Sequence, residues 1–390
     1  MSLSLGTKST DRQLAAHPVT TPRTVYVNGR FLTQNITGVQ RYAHELLSEI
    51  DAYLAANPDQ AAQLRVTILA PSRGLKFQPR WPHLGFRQIG RLSGHLWEQM
   101  ELPFAARDGL LFCPANTAPI ASLLGRKPVV VCVHSLAYRY FPAAYTAAFR
   151  AVYTVLTPLI MKFADGIITV SESERDMILR AFPGSAARLT VIQNGGWGRS
   201  VGGELERIAP LSLERPYILY VGSLNKCKNF SVIMRCAIKL VRDTDLNFMF
   251  VGGFPSVLQQ SEVAIPEELR DRIIMTGQVD DVRRLIAAYK GASVFVFPSL
   301  YEASPFPPIE AMAFGVPVVA SSIPPLQERC GDAAVYCDPT SVESVTEAVT
   351  SILNDAALRD DLRRRGLERA AVFTWEACAR DTLAVIAGVG

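Results

Sequence analysis

Ser293-Val294-Phe295-Val296-Phe297-Pro298 is followed by Tyr301-Glu302-Ala303-Ser304-Pro305-Phe306-Pro307-Pro308-Ile309-Glu310, and this stretch decides how the chain folds. The alternation of valine and phenylalanine, apolar at every position, reads as a buried parallel strand. Prolines before Ile309-Glu310-Ala311-Met312-Ala313-Phe314 fit the first turn of a helix, where a missing N–H costs no hydrogen bond. Glu302 then falls in the strand-to-helix turn and Glu310 on the first helical turns. A helix N-terminus, with orphan N–H groups and a positive dipole end, suits a phosphate. Carboxylates flanking such a pocket repel the phosphate unless they reach past it, to hydroxyls on either side. A nucleotide sugar, with a ribose, a diphosphate and a hexose in line, has that layout, and an ordinary acid pair favoured by the helix dipole is the alternative.

The same strand–helix alternation runs through both halves of the chain. Strands are expected at Thr24–Val27, Arg65–Leu69, Leu110–Cys113, Val129–Val133, Gly166–Val170 and Leu189–Ile192, then at Tyr217–Val221, Asn247–Val251, Arg272–Met275, Val294–Phe297, Pro317–Ala320 and Ala334–Tyr336. Helices are expected between them, at Gly38–Leu54, Ala143–Phe163 and Glu172–Ala181, and near the end at Ser341–Leu353 and Trp375–Ile386. This pattern implies an α/β protein with two doubly wound, Rossmann-like domains, residues 23–197 and 216–374. Residues 1–22 read as a disordered polar tail. Residues 198–215 read as a linker, with glycines at 198, 202 and 203 and a proline at 210. Ligands of doubly wound sheets bind beyond the carboxyl ends of the strands, which places the site in the cleft between the domains.

At 390 residues, 49% hydrophobic and 19% charged, the chain is globular and long enough for two domains. Its seven cysteines are scattered with no CxxC pair and no histidine cluster, which argues for a reducing compartment and against a zinc site. No signal-peptide core and no uninterrupted apolar span are present, so a cytoplasmic protein is expected. Residues 23–197 hold 18 Lys and Arg against 11 Asp and Glu, while the net charge of the whole chain is +4. A basic first half beside a more acidic second half points to different partners for the two.

Three further segments carry chemistry. Val221-Gly222-Ser223-Leu224-Asn225-Lys226-Cys227-Lys228-Asn229 is a strand and a small-residue turn with two lysines, either of which can meet a diphosphate or simply face solvent. Val131-Cys132-Val133-His134-Ser135 puts a histidine at a strand end, where a lone histidine is more often structural than functional. Asn35-Ile36-Thr37-Gly38-Val39-Gln40-Arg41-Tyr42 starts a helix behind a glycine. No glycine-rich dinucleotide turn follows the first strand of either half, which disfavours a dehydrogenase.

In this order, with Leu96-Trp97-Glu98-Gln99, Thr169-Val170-Ser171-Glu172-Ser173, Val191-Ile192-Gln193-Asn194-Gly195 and Gly331-Asp332-Ala333-Ala334, these segments resemble the retaining family-4 glycosyltransferases of the GT-B fold, especially the bacterial mannosyltransferase-like members. The resemblance runs from about Thr24 to Leu383. It implies an acceptor-side first domain, a nucleotide-sugar-binding second domain, and a final helix, residues 375–390, packing back towards the first. Glu310 would bind the ribose, Glu302 the transferred hexose and Lys228 the diphosphate, with His134 beside the sugar. Gly38 would let its backbone approach the diphosphate, and Ser223, Lys226, Ser304 and Phe306 would complete the donor side. The implied chemistry is retaining transfer without metal or cofactor, by front-face attack in which the leaving phosphate oxygen takes the acceptor's proton.

The chain departs from the family pattern at three places. Ala303-Ser304-Pro305 replaces the usual glycines, Cys227 stands where an arginine is common, and Ser135 stands where an aspartate often follows the histidine. These departures keep a non-catalytic nucleotide-sugar-binding subunit and a UDP-sugar epimerase as alternatives. GDP-mannose is the first donor expected, and a UDP-hexose such as UDP-glucose the second. A lipid-linked or oligosaccharide acceptor is expected in bacterial surface polysaccharide assembly.

On the acceptor side, Arg73, Lys76, Arg80, Arg87 and Arg91 interleave with Phe77, Trp81, Phe86 and Trp97, with no acid before Glu98. This mixture fits peripheral contact with an anionic membrane at its inner face, or else a basic loop over a helix. A nucleic-acid partner is not expected.

Overall fold

The computed structural model describes residues 22–142, 145–198, 205–253 and 263–389. Residues 1–21 of the expected tail (residues 1–22) and the glycine-rich part of the expected linker (residues 199–204) lie outside them. The first half forms a seven-stranded sheet, β1 (Arg23–Asn28), β2 (Leu64–Pro71), β3 (Gly85–Ile89), β4 (Leu110–Cys113), β5 (Val129–Cys132), β6 (Gly166–Thr169) and β7 (Leu189–Val191). Its order is β3-β2-β1-β4-β5-β6-β7, parallel throughout. The second half forms a six-stranded sheet of β8 (Tyr217–Val221), β9 (Asn247–Val251), β10 (Ile273–Met275), β11 (Val294–Phe297), β12 (Val318–Ser321) and β13 (Ala334–Cys337). Its order is β10-β9-β8-β11-β12-β13, again all parallel.

Burial on both faces explains why these strands are apolar at consecutive positions. All residues of β4, β5, β8, β9 and β11 are buried. The helix Gly38–Ala56 covers one face of the first sheet with Tyr42, Ala43, Leu46, Leu47, Ile50 and Leu54, the three-to-four-residue spacing of one helical stripe. The final helix, Trp375–Gly388, joins the same core through Trp375, Cys378, Ala379, Leu383 and Ile386. Gly195 marks the crossing: a Cβ there would stand 2.5 Å from the Trp375 ring, so only a glycine lets the chain pass. Trp375 in turn donates to the Gly196 carbonyl at 3.0 Å.

Two expectations are corrected. The basic segment after β2 contains a strand, β3, that its composition did not reveal: Gly85 to Ile89 pair with Thr67 to Pro71 at the sheet edge. An edge strand buries only one side, so the apolar run that marks interior strands is missing. The helix expected from residue 143 starts at Ala147, where the Thr146 hydroxyl caps the Phe149 N–H at 3.2 Å.

Candidate functional site

The site begins where β11 ends. Leu300 N–H donates to the Cys227 carbonyl at 2.9 Å, which ties the turn after β11 to the turn after β8. Asn229, in the left-handed region at φ 61°, donates its amide to the Pro298 carbonyl at 3.0 Å and fixes the lysine before it. Lys228 Nζ then reaches Glu302 Oε1 at 2.5 Å. Glu302 is 7% exposed and holds its cation at the mouth of the turn. Cys227 thus contributes through its backbone, while Lys226 is exposed and Ser223 accepts from Asn225 within the turn at 2.9 Å.

Glu310 lies in the first turn of the Pro307–Ala313 helix and is 1% exposed. Tyr289 hydroxyl donates to its Oε2 at 2.8 Å. Its Oε1 accepts from Arg41, which crosses the cleft from the first turn of the Gly38–Ala56 helix. The Arg41 guanidinium lies over Phe306 and Trp197, with centroids at 4.9 and 5.4 Å. Burial works against that charge, but Glu310 and Glu45 outweigh it and raise the Arg41 pKa above its ordinary value. Trp197 also donates to the Glu310 carbonyl at 3.3 Å. Gly38 meets the same place from the other side: a Cβ on it would lie 3.8 Å from the Phe306 ring. Ser304 bonds Asn194 of the first half.

Two features temper the sequence reading. The helix at Glu310 has only seven residues, and Pro305, Pro307 and Pro308 remove three of the amides near its start. An anion there must rely on side chains more than on a helix terminus. His134 is buried, and its Nε2 bonds the Pro114 carbonyl at 2.8 Å, so Nε2 carries the proton and only Nδ1 remains as an acceptor. Burial lowers its pKa to about 4, which makes the ring neutral at pH 7. Its ring stands edge-on to Tyr42 at 4.5 Å.

Beside His134 lies a network that sequence reasoning missed. Ser135 Oγ and Tyr301 hydroxyl are 2.7 Å apart, and Tyr301 donates to Glu174 Oε2 at 2.9 Å. Leu136 N–H donates to Glu174 Oε1 at 2.6 Å, and burial pushes the Glu174 pKa up to about 7. Glu328 of the second half accepts from Glu172 N–H (2.8 Å) and Ser173 N–H (3.0 Å) at the start of the Glu172–Ala181 helix. The two halves therefore meet through polar contacts as well as through rings such as Phe141 and Tyr301, whose centroids are 5.0 Å apart.

The acceptor-side reading is corrected in part. Arg73, Lys76, Arg80, Arg87 and Arg91 are exposed, as a charged surface requires. Trp81 instead packs on the first core, 5.8 Å from the His44 ring, and Phe77 lies 5.2 Å from that ring. Trp97 is fully buried and donates to the Ile89 carbonyl at 2.9 Å. Leu96, Met100 and Phe104 are exposed apolar side chains (67%, 59% and 74% exposed), four residues apart along the next two short helices. A cavity of about 640 Å³ lies behind the cleft, lined by Trp197, Lys290, Phe314, Phe373 and Trp375. Glu302 is not part of its wall. Among the described residues, no group of three or more His, Cys, Asp or Glu is placed to hold a metal ion, and no helix is long and apolar enough to cross a membrane.

Two parallel α/β sheets facing each other, with an acid pair after one strand of the second, define the GT-B architecture of glycosyltransferases. Sucrose-phosphate synthase from Thermosynechococcus elongatus superposes with a TM-score of 0.71, at 21% identity, over 93% of this chain and 98% of the other. Anabaena HepE in complex with UDP-glucose does so at 0.66, with 13% identity, over 94% and 100%. At such identities the likeness is one of fold. Residues 36–195 match Glycosyltransferase Family 4 and residues 204–369 match Glycosyl transferases group 1, and the chain belongs to this glycosyltransferase family. O-antigen chain mannosyltransferase B of Escherichia coli is 30% identical over 227 residues, covering 56% of this chain and 59% of the relative's length.

Proposed function

We propose that the chain is a retaining glycosyltransferase that moves a hexose from a nucleotide sugar to a lipid-linked or oligosaccharide acceptor in bacterial surface polysaccharide synthesis. The observation that carries this reading is the acid pair itself. Glu302 and Glu310 sit at the two ends of one strand–turn–helix, each already holding a cation, Lys228 and Arg41. Glu310 takes the ribose hydroxyls, Glu302 takes hydroxyls of the transferred hexose, and Lys228 meets the diphosphate between them. As the bond from the anomeric carbon to the phosphate oxygen breaks, the acceptor oxygen bonds that carbon on the same face. The acceptor's proton passes to the departing phosphate oxygen, and Lys228 offsets the charge that develops there. His134, neutral and tethered through Nε2, positions the acceptor side and does not act as a cation. No metal or cofactor has a step in this scheme.

GDP-mannose is the first donor, supported by the mannosyltransferase relative, and UDP-glucose is the second, supported by the HepE complex. The protein works at the inner face of the cytoplasmic membrane. Exposed Arg87 and Arg91 supply charge, and the Leu96, Met100 and Phe104 stripe supplies the apolar contact that Trp81 does not.

The test is to incubate the protein with each donor, with and without oligosaccharide or lipid-linked acceptors, and follow nucleoside diphosphate release and the anomeric proton of the product by NMR. Transfer with retained configuration is expected. Binding without turnover would leave a non-catalytic nucleotide-sugar subunit. Interconversion of a UDP-sugar without acceptor would identify an epimerase.

A further inference from the structure

We infer that Arg41 is a donor-site residue: its guanidinium leaves Glu310 for the diphosphate of an incoming nucleotide sugar when the ribose hydroxyls take the carboxylate. This rests on the donor-site reading above and adds to it a residue from the opposite domain.

Both oxygens of Glu310 are occupied in the structure, one by Tyr289 and one by Arg41, and the side chain is almost wholly buried. Each oxygen keeps a second lone pair, but at 1% exposure the carboxylate is covered, so a ribose diol reaches it only when a covering partner withdraws. Tyr289 belongs to the same domain as Glu310, fully buried with its ring 5.6 Å from Phe295. Arg41 comes from across the cleft and its side chain keeps 24% of its exposure, so Arg41 is the partner free to move.

Its neighbours fix where it moves to. Phe306 and Trp197 flank the guanidinium, and Phe306 closes the turn that separates Glu302 from Glu310. A diphosphate joining a ribose on Glu310 to a hexose on Glu302 must run past this point. The backbone offers it little, because Pro305, Pro307 and Pro308 have no N–H. Lys228 reaches the same gap from the Glu302 end. Two cations are thus held on the two carboxylates, matching the two negative charges of a diphosphate diester. An arginine fork pairs with phosphate oxygens at least as well as with a carboxylate. Donor binding exchanges partners in the cleft: hydroxyls take the carboxylates and phosphate takes the cations. No charge is left buried without a partner in either state, which keeps the exchange inexpensive.

The test is titration calorimetry of wild type, Arg41→Gln and Arg41→Lys with guanosine, GDP, uridine and UDP. In Arg41→Gln the affinity advantage of the diphosphate over its nucleoside is expected to shrink by about tenfold or more. The nucleoside itself should bind as well as before or more tightly, because Glu310 is released. Arg41→Lys, which keeps the charge without the fork, should recover part of the advantage and keeps the test open if Arg41→Gln fails to fold. An unchanged advantage in both variants overturns the assignment of Arg41 alone. Failure of the wild-type protein to bind any of the four ligands overturns the donor-site reading and this inference with it.

Discussion

Glu98 and Glu310 are both buried carboxylates facing an arginine, yet their surroundings differ in kind. Glu98 is fully buried in the first domain, and its partners are all local: Arg30 at 3.3 Å, Asn28 and Thr117 at 2.6 Å, and His95 at 3.0 Å. Burial works to raise its pKa, but Arg30 and then the His95, Thr117 and Asn28 hydrogen bonds outweigh it and hold it at about 2. Glu310 has one partner from its own domain and one that crosses the cleft. Glu302 has a single lysine. A carboxylate saturated by its own domain braces a fold. One whose cation arrives on a separate domain can exchange that cation for a ligand. Both acids lie in segments that carry the family resemblance, so resemblance alone does not tell them apart; their partners do.

The sharpest way to break this distinction is Glu98→Ala. Removing one member of a buried pair strands Arg30, and a stability loss of about 3–5 kcal/mol is expected in chemical denaturation. A loss below about 1 kcal/mol would mean that Glu98 is not a brace. Glu310→Ala should act on binding, weakening nucleoside diphosphates by roughly 1.5–3 kcal/mol in calorimetry. Glu302→Ala should leave diphosphate binding largely intact and lower turnover by about 10- to 100-fold. Identical behaviour of the two cleft mutants would remove the assignment of separate ends.

The pH dependence gives the smallest effect. Glu98 is held near pH 2 in the folded state against an ordinary value of 4.5, so its contribution is present above pH 4.5 and is lost as pH falls towards 2. His134, lowered to about 4 from 6.5, contributes stability above pH 6.5 that fades as pH falls towards 4. Denaturation at stepped pH should show a loss between pH 6.5 and 4 to which His44, lowered by burial to about 4 as well, also contributes, and His134→Gln should shrink that step while the Glu98 step persists.

Interior strands were legible in the sequence because parallel sheets bury both faces: β8, β9 and β11 fall where their apolar runs begin and end. The edge strand β3 was not, because half-exposed GFRQI lacks such a run. The acid pair was legible because it follows an unmistakable strand and helix start. Its partners were not. Arg41 is 269 positions from Glu310, and nothing local to either reports the contact. Tyr289 and the Ser135–Tyr301–Glu174 network were hidden for the same reason, since pairing across a cleft leaves no periodic trace. Trp81 misled because a tryptophan among arginines reads the same whether its ring turns outward or, as here, packs beside His44.

The central claim is that the acid pair holds a nucleotide sugar, and calorimetric titration of the unmodified protein with GDP, UDP, GDP-mannose and UDP-glucose, without added metal, tests it most directly. Binding of one base family, with its sugar nucleotide and its diphosphate both bound, is the expected result and names the donor class. Silence from all four contradicts the claim and leaves Arg41 and Lys228 as fixed struts of a cleft that takes no nucleotide sugar of these kinds.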